Sequence, residues 1–185
     1  MDLSAPHRAL LPSLHGDVIM ALARLRRPVS GRELAVEAGA SQEGTRRVLA
    51  ELELQGVVSR QVAGRAHLFA LNREHLVCGA VEALAAMRSE LLARLRAEVA
   101  SWPSPRPESV VLFGSAARRD GSAESDIDML IVRPSSVSPD DRSWLARTSA
   151  LADAVTRWTG NRCELVEYTA AEMRRPDRRR SAFFR

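Results

Sequence analysis

The sequence predicts two domains of mixed helix and strand: an α+β domain of helices and a hairpin, and a small α/β domain, separated by a long helix. Three observations carry this. Apolar residues recur at helical spacing through most of the first hundred positions; short β-branched runs alternate with helical segments after residue 108; and SWPSPRP at 101–107 sets three prolines in seven residues between the two patterns. The expected domains are 1–72, a connecting helix and proline-rich linker at 73–107, 108–173, and a basic tail at 174–185. A chain of 185 residues, 45% hydrophobic and 27% charged, is long enough for two small cores and is no candidate for disorder.

In the first domain, Leu14, Val18, Leu22 and Leu25 mark a helix closed by Pro28. Ser30 and Glu33 form an S-x-x-E capping box for a short second helix that stops near Gly39. Ser41 caps a third, with Val48, Leu49 and Leu52 as its buried stripe and Gly56 as its exit. Strands at 57–63 and 66–71 are joined by Gly64 and Arg65, a hairpin pattern. That order is the order of a winged helix-turn-helix. From Asn72 to about Ala100 a long helix carries Val77, Val81, Leu84, Leu91, Leu95 and Val99 as a stripe that requires a partner surface.

In the second domain, 109–113 and 126–132 read as buried strands. Ser138 as N-cap, Pro139 at N1 and the acids Asp140 and Asp141 open a helix whose stripe is Trp144, Thr148, Leu151, Val155 and Trp158, ended by Gly160. A third strand at 163–168 and a weak helix follow.

Composition narrows the setting. No apolar run approaches the roughly 20 residues of a membrane span, and the start lacks the order of a signal peptide, so a cytoplasmic protein without membrane contact is expected. Cys78 and Cys163 stand apart without CxxC neighbours and read as apolar fillers. The four histidines are scattered through the first half, which argues against a histidine metal site. All 27 basic residues are arginine and the net charge is +4, with arginines concentrated after Arg174 and acids prevailing in 103–173.

The chemistry-bearing pattern is Gly114-Ser115, ten intervening residues, then Asp126-Ile127-Asp128. Strand alternation puts both carboxylates on one face, roughly 6 to 7 Å apart along the chain. Their repulsion is relieved by a divalent cation, and magnesium favours carboxylates plus substrate phosphates; the alternative is a solvated strand end. Gly114 lets backbone N–H groups approach a phosphate, Ser115 adds a hydroxyl, and Arg118 follows one turn later, although the pair also suits an ordinary turn and Arg118 a solvated loop.

These residues resemble the nucleotidyltransferases of the DNA polymerase beta superfamily, most closely the minimal bacterial and archaeal ones, over about 108–168; Ser125-Asp126-Ile127-Asp128 matches their S-D-I-D. The resemblance implies a polymerase-beta-like nucleotidyltransferase fold with a small mixed sheet. It also implies an NTP held at Gly114, Ser115, Arg118 and Ser125, with Mg2+ or Mn2+ on Asp126 and Asp128, and transfer of a nucleoside monophosphate with release of pyrophosphate. The family's third acid precedes Leu-Val, which selects Glu164 as metal ligand and catalytic residue over Glu167, a solvated edge residue. The family's Ala-Arg-Gly is Ala117-Arg118-Arg119 here, with Gly121 two places later.

The first half is similar in pattern to the winged helix domains of MarR- and ArsR-type transcription regulators, over about 14–71. That implies duplex DNA as partner, with Gln42, Thr45 and Arg46, flanked by Glu43, reading bases and Arg60 and Arg65 on the wing meeting backbone or minor groove. A homodimer along the 73–100 helix would read a pseudo-palindromic site. Winged helices also dock proteins. Two other functions therefore stand beside the transferase: a DNA-binding regulator with a nucleotide-sensing or inactive transferase domain, and an antitoxin-like component that modifies or binds a helical toxin partner or another protein acceptor.

Overall fold

A computed structural model of the chain describes residues 1–118 and 122–174. The chain forms two compact units, Ala5–Arg88 and, joined to Met1–Ser4, the residues from Ser89 onward. The division falls inside a helix and not at the prolines of 101–107. Packing explains the displacement. Trp102 is buried edge-on against Trp144, with ring centroids 5.8 Å apart, and Arg147 covers both rings while its Nη1 donates to the carbonyls of Pro103 and Pro105 at 2.9 and 3.2 Å. The proline-rich stretch is thereby tied to the second unit, with Trp102 in its core and the prolines at its surface.

The first unit runs α1 (Leu14–Leu25), β1 (Val29–Ser30), α2 (Gly31–Glu37), α3 (Gln42–Leu54), β2 (Val58–Ala63) and β3 (Ala66–Leu71). Its sheet has the order β1-β3-β2, antiparallel throughout, with β2 and β3 in register from Val58 opposite Leu71 to Ala63 opposite Ala66. This is a winged helix-turn-helix, with α3 as the second helix of the motif and the β2–β3 hairpin as the wing. Ser30 and Ser41 cap α2 and α3 by accepting from the N–H groups of Glu33 and Gly44. The expected reciprocal half of the Ser30 box is replaced, because the Glu33 carboxylate pairs with Arg27. Val18, Leu22, Leu34, Val48 and Leu49 form the centre of the core, each fully buried leucine contributing roughly 1.5–3 kcal/mol.

The long helix α4 (Cys78–Ser101) begins six residues later than Asn72. Side chains capture the intervening N–H groups: Asn72 Oδ1 accepts from Glu74, His75 Nδ1 accepts from Val77, and Asn72 Nδ2 donates to the Gly56 carbonyl. Its stripe is divided by length: Cys78 and Val81 enter the first unit's core, Leu91 and Leu95 the second's.

The second unit continues with β4 (Ser109–Leu112), α5 (Gly114–Arg118), β5 (Ile127–Arg133), α6 (Arg142–Thr159), β6 (Cys163–Thr169) and α7 (Ala170–Met173). The sheet order is β4-β5-β6, antiparallel then parallel, so it is the small mixed sheet expected. Central β5 is buried, and Ile127, Met129 and Ile131 pack with Leu91 and Leu95 of α4 and Trp144, Leu151 and Val155 of α6. β4 is an edge strand, not a buried one, with Val111 44% exposed. The N-cap of α6 is Asp141, whose carboxylate accepts from the Trp144 N–H at 2.9 Å; Ser138 instead closes a preceding turn. The basic tail beyond Arg174 lies outside the described residues, as do Arg119 and Gly121.

Candidate active site

Alternation along β5 sends Ile127, Met129 and Ile131 to the helix-covered side and leaves Asp128 on the other, with Asp126 two residues before it. Asp126 is exposed and Asp128 half-buried. The parallel register sets Asp128 opposite Glu164 and Ile131 opposite Glu167. Glu164 thus shares the face of Asp128. Glu167, three residues on, points to the helix side, where it accepts from Arg133 Nε at 2.5 Å and Trp144 Nε1 at 2.6 Å. The expectation of a solvated Glu167 is corrected: it is half-buried and pairs with the buried Arg133, anchored by residues distant in sequence.

Burial raises the pKa of Asp128 above the ordinary aspartate value, and the charges of Glu164 and Asp126 raise it further, partly offset by Arg118. The same field is felt at Cys163, whose thiol is pushed up to about 11 by burial and then by Asp128 and Glu164. Gly114 closes over this locus. Its φ is +60°, and a Cβ there would stand 2.1 Å from Asp128 Oδ2, so backbone conformation and contact both require glycine. The Phe113 N–H donates to the Asp128 carbonyl at 3.0 Å and holds the turn against β5.

Clustered carboxylate oxygens that repel one another suit a hard divalent cation, which needs only one or two of them when substrate oxygens supply the rest. The expected trio is not a ready-made ligand set. Among the described residues no three His, Cys, Asp or Glu side chains converge closely enough, and Glu164 Oε1 lies 3.4 Å from Arg162 Nη2, drawn to the cation instead of to the like-charged aspartates. Ser115, half-buried in α5, lines with Ser122, Ser125 and Asp126 a cavity of about 10 Å3, room for about one water. The Ser125 hydroxyl accepts from the Ser122 N–H at 2.8 Å, which ties it into the loop. One residue that the sequence reading passed over, Asn161, donates to the carbonyls of Ala123 and Ser125 immediately before Asp126.

In the first unit, Gln42 and Arg46 are exposed on the opening turns of α3, and Arg65 is exposed at the hairpin turn. Arg46 is held by Glu43 at 2.6 Å, whose carboxyl it keeps below the usual glutamate range, and Arg60 pairs with Glu53 at 3.0 Å. Thr45 is corrected: it is fully buried, so it reads no base, and its Oγ1 has no hydrogen-bond partner. Its spacing to Val48, Leu49 and Leu52 (i, i+3, i+4, i+7) already places it on the buried stripe. Arg47, which the sequence reading did not single out, is exposed beside Arg46. No described helix is long and apolar enough to cross a membrane.

Against families of known domains, residues 92–185 match the family described as nucleotidyltransferase domain. No curated protein sequence matches the chain. Among solved structures, a transcriptional regulator of the MarR family from Silicibacter pomeroyi is similar with 19% sequence identity and a TM-score of 0.36, over 55% of this chain and 83% of that one.

Proposed function

The chain belongs to the nucleotidyltransferase domain family, and from that premise we propose that it transfers a nucleoside monophosphate from an NTP to an acceptor hydroxyl. In this reading Asp126 and Asp128 hold Mg2+ or Mn2+. The backbone at Gly114, the Ser115 hydroxyl and Arg118 receive the phosphates, and Ser125 shapes the loop beside them. The acceptor oxygen bonds to the α-phosphorus as the bond from that phosphorus to the bridging oxygen breaks. Pyrophosphate leaves with the electron pair, and the acceptor's proton passes to Glu164. The bound divalent ions supply charge neutralisation to the attacking and leaving oxygens. The observation that carries this reading is the in-register pairing of Asp128 with Glu164 beneath a glycine that tolerates no side chain.

Incubation with each α-labelled NTP and Mg2+ or Mn2+, with and without lysate of the source organism, tests it. Label should move to a macromolecule or small acceptor, and chelator should stop it. Unaltered transfer in chelator would sink the mechanism.

We further propose that the first unit binds duplex DNA, with Gln42, Arg46 and Arg47 toward the bases and Arg65 and Arg60 toward the backbone. Arg46→Ala should relax sequence preference, whereas Arg65→Ala should weaken all duplexes alike. Mobility shifts of the full chain over a salt series measure both. One observation favours a docking role instead: Arg46 and Arg60 are each already paired with a glutamate. The full chain's failure to bind any duplex at low salt would establish that second reading.

A further inference from the structure

Asn161 stands at the junction between α6 and β6, one residue after Gly160 ends the helix, and it is only 5% exposed. Every polar atom of its side chain is engaged. Nδ2 donates to the Ser125 carbonyl at 2.8 Å and the Ala123 carbonyl at 3.0 Å, and Oδ1 accepts from the Met1 amino group. Its own N–H donates to Thr159 Oγ1 at 3.2 Å. The next residue, Arg162, offers its carbonyl to the Ile127 N–H at 2.8 Å, the first rung of the β5–β6 pairing.

The geometry points to Asn161 as a positioning residue for the metal-binding carboxylates. This rests on the proposed transferase reading. One amide side chain grips the backbone immediately ahead of Asp126, and the same residue begins the segment that delivers Glu164 three positions later. It therefore sets the spacing between the two strands' acids, which the chain must hold against their mutual repulsion. The loop from 122 to 126 contains local hydrogen bonds among Ser122, Glu124 and Ser125, but these bonds tie the loop to itself. The Asn161 amide instead ties that loop to the start of β6.

Asn161→Asp tests this, since it keeps the shape and replaces both donated hydrogen bonds with a carboxylate oxygen facing two carbonyls. The readout is Mn2+ binding followed by electron paramagnetic resonance, in the presence of a non-hydrolysable ATP analogue and without turnover. Support around metal ligands typically governs affinity by 10- to 100-fold, so a loss of about 10-fold is expected. Trp144→Phe, which removes the donor to Glu167 in the same unit without touching the loop, serves as a control matched for thermal stability and should bind Mn2+ within about twofold of the wild type. If Asn161→Asp is unfolded at the assay temperature, Asn161→Ser is held to the same criterion. Wild-type affinity in the Asn161 variant, or an equal loss in Trp144→Phe, overturns the assignment. Absence of Mn2+ binding by the wild type overturns the transferase reading beneath it, a separate result.

Discussion

The two faces of the β5–β6 pair treat their carboxylates in opposite ways. On the helix side, Glu167 receives two hydrogen bonds from Arg133 and the Trp144 indole, and Arg133 also donates to the Val137 carbonyl. On the other side, burial and then the charges of Glu164 and Asp126 raise the pKa of Asp128, with Arg118 as partial relief. Both faces draw a glutamate from the same strand, three residues apart. The difference teaches that a carboxylate whose needs the chain meets is structural, whereas acids raised in pKa by their neighbours and only partly relieved by arginines mark a place where charge from outside would be favoured.

Breaking the second face should have the largest effect. Asp126→Ala or Asp128→Ala removes one ligand of the proposed metal, a role in nucleotidyl transfer worth several kcal/mol, so transfer of labelled nucleotide should fall at least about 100-fold with the far-ultraviolet dichroism unchanged. Either variant with near wild-type turnover would erase the distinction between the faces.

The first face should answer in stability. Glu167→Ala strands Arg133, whose side chain is 8% exposed, and should cost about 3 kcal/mol by urea unfolding. Glu164→Gln should leave the urea midpoint unchanged and abolish transfer. A reversal between these two glutamates would mean that the strand's parity has been misassigned.

Thr45 carries the comparison to a neutral group in the other unit. A buried hydroxyl without a partner lowers stability, and Thr45→Val keeps its shape, so the variant should gain about 1 kcal/mol in the same unfolding assay. Loss of stability would mean that the hydroxyl is satisfied in solution.

The smallest effect concerns pH. Because the folded state raises the pKa of Asp128, it binds that proton more tightly than the unfolded chain does. Stability therefore falls as pH rises from the ordinary aspartate value of about 3.9 through the raised one, and the cost persists at neutrality. Asp128→Asn should melt slightly higher than wild type at pH 7 without metal, with the difference vanishing near pH 3. Thermal melts across that range decide it.

Much of this is legible in the sequence. Ser30 and Ser41 announced their helices because a cap is a local event. The opposite parity of Glu164 and Glu167 followed from the pleat alone. Asp141 was passed over for Ser138 because S-P-D-D offers competing caps, and only the packing of Trp144 selects among them. The partners of Glu167 lie 23 and 34 residues away, and those of Asn161 lie 36 and 38 away; no local pattern carries such distances. Thr45 is a different case: its spacing to Val48, Leu49 and Leu52 sets it on the buried stripe, while its place on the first turn of α3 suggests a surface role.

The parallel pairing of β5 with β6 also has a consequence for how the protein is made. Parallel neighbours cannot be joined by a tight turn, and here α6 intervenes, so Asp128 and Glu164 meet across a closed loop of intervening chain. Contacts of that separation come late, after loop entropy has been overcome. A chain emerging from synthesis as far as Gly160 carries both aspartates and the glycine turn, yet has no opposing strand to complete the cluster. Competence for the proposed chemistry therefore arrives with the last strand to dock, whereas the strands of the winged helix, which end at Leu71, leave synthesis first.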